Sequence, residues 1–151
     1  MTSMTKLRHM LVSAIALATL AGCSNQDVTA PRLETDIATV YTHLLVKRNE
    51  LLASPPQQHV QVNANCYRGG KDQPDIGPGK DWRCDLKIAD ETGPMRDMTY
   101  LVIARTSGCW AALVESLAAT ADNIDVATMV VPSTGKSVPD PLGGFDGCLR
   151  A

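Results

Sequence analysis

Five cysteines, at positions 23, 66, 84, 109 and 148, are the most reactive side chains in this 151-residue chain. The last four are widely spaced, with no Cys-x-x-Cys pair among them. That spacing lacks the paired ligands of a zinc site and the close dithiol of a redox centre. Nucleophilic hydrolysis needs Ser or Cys beside a His base that a third group orients. No Gly-x-Ser-x-Gly elbow is present, and His43 and His59 read as solvent-facing or rim residues. Asp72, Asp75 and Asp81 share a glycine-rich stretch that could offer oxygen ligands to calcium. The EF-hand spacing is missing and Lys71 and Lys80 dilute the charge, so a solvated loop is the favoured reading. The same glycines lack the Gly-Lys-Ser/Thr ending of a phosphate cradle. No catalytic residue, metal ligand or cofactor site is therefore assigned. A formal net charge of −2 provides no electrostatic footprint for nucleic acid.

Cys23 stands apart from the other four. Lys6, Arg8 and His9 precede an apolar run from Met10 to Leu20, then Ala21 and Gly22. A basic start, about ten apolar residues and a small-residue exit form an export signal. The run is too short to span a bilayer, which takes about 20 apolar residues. Its apolar residues cover every helical face, so it does not read as an amphipathic helix. Leu20-Ala21-Gly22-Cys23 resembles the lipobox of bacterial lipoproteins. The resemblance implies cleavage after Gly22, a diacylglyceryl thioether on Cys23, and a lipid-anchored protein at the cell membrane facing the extracytoplasmic side. Ser24 follows where an Asp would favour inner-membrane retention. Cleavage there removes Lys6 and Arg8 and no acidic residue, so the formal charge falls from −2 to −4. A mildly acidic domain gains little from anionic headgroups, so lipid on Cys23 would hold it to the membrane.

With Cys23 committed to lipid, an even number of cysteines remains, and an exported chain folds under oxidising conditions. Two disulfides are expected. Four cysteines allow three connectivities, and the local pattern favours Cys66–Cys84 and Cys109–Cys148. From His59 to Tyr67, Val60, Val62, Ala64 and Cys66 share one face while Gln61, Asn63 and Asn65 share the other. From Trp82 to Ala89, Trp82, Cys84, Leu86 and Ile88 point one way and Arg83, Asp85 and Lys87 the opposite way. Two half-buried strands, each with a cysteine on its apolar face, thus flank a turn-rich loop over residues 68–81.

A helix must precede them. Leu33, Ile37, Val40, Tyr41, Leu44, Leu45, Leu51 and Leu52 recur at helical spacing between Pro31 and Ala53. Pro31 near its start, early acids and late Lys47 and Arg48 suit the helix dipole, and Pro55-Pro56 ends it. Residues 23–30 read as a flexible tether. Loop 68–81 holds four glycines and two prolines, which preclude regular structure. A turn over Asp90 to Pro94 precedes Met98 to Arg105, which is apolar on both faces and reads as a central strand. Ser107-Gly108 favours a hairpin into a strand from Cys109 to Val114, although Trp110 to Ala121 also matches helical spacing. A further strand is expected over Ile124 to Val131. The stretch from Pro139 to Cys148 reads as loop held by its disulfide.

Gly77-Pro78-Gly79-Lys80-Asp81-Trp82-Arg83-Cys84, Gly108-Cys109-Trp110 and Phe145-Asp146-Gly147-Cys148 together resemble a group of small uncharacterised exported proteins of high-GC Gram-positive bacteria. The resemblance covers slightly more than the C-terminal half of the chain, and the segment between Val114 and Pro139 departs from it. It implies the same two disulfides and a strand at Cys109, and it carries no activity. The expected architecture is α+β: one N-terminal amphipathic helix on an antiparallel sheet of four to five strands, forming a single domain over 31–151. The expected function is a membrane-anchored, non-enzymatic module that binds an envelope protein or cell-wall component. The alternative is a cell-envelope hydrolase with its site near His59 or loop 68–81.

Overall fold

A computed structural model describes residues 27–54, 59–70, 72–89, 96–115 and 128–150. The export signal with Cys23, Pro55-Pro56, Lys71, the turn over 90–94 and the start of the strand expected from Ile124 lie outside the described residues. So does the helical alternative beyond residue 115.

The chain forms helix α1 (Ala30–Leu51) and strands β1 (Gln61–Arg68), β2 (Gly79–Ala89), β3 (Arg96–Ala104), β4 (Cys109–Val114), β5 (Thr128–Val131), β6 (Lys136–Pro139) and β7 (Gly144–Cys148). Five strands build one sheet in the order β1-β2-β3-β4-β7, with each neighbouring pair antiparallel. Strands β5 and β6 form a separate two-stranded hairpin. The α+β architecture read from the sequence is thus the one observed. So are both disulfides, Cys66–Cys84 and Cys109–Cys148. Each joins residues directly opposite one another in a ladder, between β1 and β2 and between β4 and β7.

Period-2 alternation decides which side of the sheet is the core. Cys66, Trp82, Cys84, Leu86, Ile88, Tyr100, Val102, Ala104, Trp110, Ala112 and Phe145 are all buried. Leu33, Ile37, Tyr41 and Leu45 of α1 join them in one core cluster. These helix residues recur every four positions, so one stripe meets the sheet. The stripe is shorter than the sequence predicts, because Leu51 at its far end is 38% exposed. The helix closes on a residue with left-handed backbone, Ala53 (φ 50°). The amides of Ala53 and Ser54 donate back to the carbonyls of Glu50 and Asn49, the two bonds of a Schellman cap.

Ser107-Gly108 makes the hairpin that the sequence favoured. The Gly108 amide donates to the Arg105 carbonyl at 3.0 Å, and Gly108 takes φ 79°, which a side chain would strain. β3 is the third strand of five, as its apolar character predicts, yet among the described residues only one of its faces is covered. Ile103 is 46% exposed on the side away from α1.

Two expectations need correction. The terminal stretch is not a loop held by a disulfide alone, because β7 adds to the edge of β4 in register from Cys109↔Cys148 to Leu113↔Gly144. Tertiary pairing overrides the poor strand propensity of its glycines. Its Phe145 contacts Tyr41, Tyr100 and Trp110 edge-on, at 5.1–6.0 Å between ring centroids. The stretch expected as tether also ends early. Val28 is 2% exposed, and Thr29 forms an isolated bridge with Ile76. Residues 27–30 are therefore docked on the domain.

Candidate functional site

Antiparallel pairing brings the start of α1, the C-terminal end of β1, the N-terminal end of β2, the β3–β4 turn and the end of β7 to one pole of the sheet. The Gly/Pro-rich residues between β1 and β2 lie there. The loop is shorter than the 68–81 expected, because β1 runs to Arg68 and β2 already begins at Gly79, and Arg68 ties the residues between them together. Its Nε and Nη2 donate to the two carboxylate oxygens of Asp81 at 3.0 and 2.6 Å. Its Nη1 donates to the Ile76 carbonyl at 2.9 Å, and its backbone amide donates to Asp75 Oδ1 at 2.8 Å. The guanidinium also lies 5.8 Å from the ring centroid of Trp82, whose indole N–H donates to the Gly77 carbonyl at 3.0 Å. A planar, five-donor guanidinium suits this role, since one side chain can bridge a carboxylate, a carbonyl and an aromatic face.

The hydrogen bonds from Arg68 hold the Asp81 carboxyl below its ordinary range. The same pair raises the Arg68 guanidinium above its own. Asp81 accepts from the Arg68 guanidinium and Asp75 from the Arg68 backbone amide, while Asp72 and Asp75 are both exposed. The three aspartates nominated from sequence therefore do not form one oxygen cage. No group of three His, Cys, Asp or Glu suited to a metal exists among the described residues.

The histidines lie elsewhere. His59 precedes β1 at the end opposite Arg68, and the strand between them spans about 23 Å at 3.3 Å per residue. His43 is exposed on α1, about 20 Å along the helix axis from Thr29 at 1.5 Å per residue. The structure brings neither histidine to the aspartates of the loop. Cys66 and Cys84 face the core and Cys109 pairs with Cys148, so all four serve as bridges.

Two of the surface depressions bear on a binding role. One lies at the Arg68 pole, has a volume of about 490 Å³, and is lined by Asp27, Val28, Thr29, Ile76, Pro78 and Thr106 among others. Ile76 is 55% exposed at its edge. The other is a groove of about 470 Å³ on the uncovered face of the sheet, where Leu101, Ile103, Ala111 and Leu113 lie between Lys80 and Asp146. Sequence reasoning singled out neither. The apolar character of both faces of β3 was the available signal for the second. The first depends on contacts between residues 27–29 and 76–78, which no local pattern marks.

The most strongly perturbed groups are internal. Burial pushes the Tyr100 hydroxyl up, with the neighbouring Tyr41 adding to the effect, and burial likewise raises Tyr41. The Tyr100 hydroxyl donates to the Leu142 carbonyl at 2.7 Å, which fastens the chain ahead of β7 to the core. These tyrosines are structural. No protein-family model, curated protein or solved structure matches the chain.

Proposed function

We propose that the chain is a membrane-anchored extracytoplasmic lipoprotein whose domain is a non-enzymatic binding module for an envelope protein or cell-wall component. The observation that carries this reading is the disposition of the cysteines. The four beyond the lipobox are consumed pairwise in two cross-strand disulfides, which belong to an oxidising compartment. That leaves Cys23 as the one cysteine for lipid. No helix among the described residues is long and apolar enough to cross a membrane. Stable lipid anchoring takes more than one acyl chain, which a diacylglyceryl group provides.

The hydrolase alternative has less behind it, because Asp75 and Asp81 of the loop accept hydrogen bonds from Arg68 and His59 stands at the other end of β1. A binding role is supported by the apolar strip of the sheet left uncovered among the described residues, framed by Lys80 and Asp146. Metabolic labelling with a fatty acid and membrane fractionation test the anchor. Wild type should carry label and sediment with membranes, whereas Cys23→Ala should do neither. Retention of Cys23→Ala in membranes would overturn the anchoring. In-cell crosslinking followed by mass spectrometry tests the binding role, and the absence of any reproducible envelope partner counts against it.

A further inference from the structure

We propose that the Arg68 pole is the membrane-facing side of the domain, with Ile76 as the residue that enters the lipid interface. This rests on the lipid anchor at Cys23. Asp27 lies four positions after Cys23, a reach of at most about 14 Å when fully extended. The chain is fixed to the domain from there on. The Gly77 amide donates to the Val28 carbonyl at 2.7 Å, and the Ala30 amide donates to the Asp75 carbonyl at 3.1 Å. The end of the tether is therefore fastened to residues 75–77, and this pole cannot move far from the acyl chains.

Ile76 projects at that point. It is 55% exposed, on a segment held by the Arg68 bond to its carbonyl and by its bridge to Thr29. Pro78 is exposed beside it. A large aliphatic side chain held outward on a tied segment gains by partitioning from water into the acyl boundary. The opposite pole lies roughly 33 Å away, the length of the 22-residue helix, beyond the reach of the tether. Exposed Lys80, Arg105 and Arg150 are matched at this pole by exposed Asp27, Asp72 and Asp75. Apolar contact, not attraction to anionic headgroups, therefore seats the domain.

The experiment uses the full lipidated chain reconstituted in phosphatidylcholine vesicles whose acyl chains are brominated near the headgroup end. Trp82 and Trp110 are 0% and 2% exposed and give a constant background. Tryptophan is introduced either by Ile76→Trp or by Val46→Trp, the latter at a 48% exposed position on α1, about 25 Å along the axis from Thr29. Emission from position 76 should be quenched about twofold or more over that from position 46. Equal quenching at the two positions overturns the proposal. Pro78→Trp provides the same comparison if Ile76→Trp does not fold. Mass spectrometry of the same samples separates the two claims. An unmodified Cys23 refutes the anchor and the proposal with it, whereas a lipidated Cys23 with equal quenching refutes the membrane-facing pole alone.

Discussion

The indole N–H of Trp110 donates to Oδ2 of Asp36 across 2.7 Å, joining β4 to the second turn of α1 over 74 residues of sequence. Trp110 is 2% exposed, so this bond removes the one polar atom of a large core side chain from the list of unmet donors. Every buried side-chain nitrogen and oxygen among the described residues is similarly satisfied. Asp36→Ala strands the donor and should destabilise the domain by about 1–3 kcal/mol. Asp36→Asn keeps an acceptor oxygen and should lose less. Urea unfolding of the two variants checks the order, and equal losses would show that the hydrogen bond is not the cause.

Gly147 is the ladder partner of Trp110 and lies against the same edge of the indole. A Cβ built there would meet Trp110 Cζ2 at 2.6 Å and Cε2 at 3.0 Å, and Asp36 Oδ2 at 3.2 Å. Gly147→Ala should therefore cost about 1–3 kcal/mol as overpacking and shift the Trp110 emission. Gly135→Ala does not serve as a neutral comparison, since Gly135 has φ 65°. Gly69→Ala does, because its nearest contact is the Asp81 carbonyl at 3.6 Å. A Gly147→Ala variant as stable as Gly69→Ala would contradict this packing.

Asp81 should mark the acid limb of the stability profile. Its carboxyl is held low by hydrogen bonds from Arg68. A depressed folded-state pKa contributes stability above the unfolded value near 4, and the contribution disappears as pH falls through the folded value. The gap in thermal midpoint between wild type and Asp81→Asn should thus be widest above about pH 5 and close toward about pH 2. A gap of constant size across that range would rule out the ion pair as its source.

The two disulfides should differ in access. Cys66 and Cys84 are 3% and 0% exposed, whereas Cys148 is exposed on the edge strand. Thiol–disulfide exchange requires an approach to sulfur, so limited reduction of the folded protein should alkylate Cys109 and Cys148 first. Replacing Cys66 and Cys84 by alanine should cost about 3 kcal/mol, and replacing Cys109 and Cys148 about 4 kcal/mol, from the loops closed. Peptide mapping that found Cys66 and Cys84 alkylated first would reverse the assignment.

Helix α1 shows a cap whose natural improvement is visible. Ala53 holds φ 50° at the position where glycine usually closes a Schellman motif. Left-handed backbone costs a residue with a Cβ about 1–2 kcal/mol, and ordering a glycine takes back about 0.5–1 kcal/mol. Ala53→Gly should raise the thermal midpoint by a few degrees at most. A fall in midpoint would show that the strain is not borne there.

The residues themselves determined a good part of this protein. Alternation about Cys66 and Cys84, a stripe from Leu33 to Leu45 at every fourth position, and an even set of cysteines after Cys23 specified the strands, the helix and the bridges. Such signals are local: a period of two or about four is written within a single element and is independent of what it packs against. Tertiary structure alone decided the rest. Strand β7 has three glycines in or beside it and a single large apolar residue, yet Phe145 becomes the hub of the aromatic cluster, because β4 offers a free edge and the disulfide fixes the register. The acids of the glycine-rich loop could be enumerated from sequence, but not the bonds that Arg68 makes to Asp75 and Asp81, since Arg68 reaches Asp81 only after β1 and β2 pair. The docking of Val28 and Thr29 onto Ile76 and Gly77 belongs to the same class. Contacts between segments so far apart along the chain depend on the fold that brings them together, and no neighbouring residue records them.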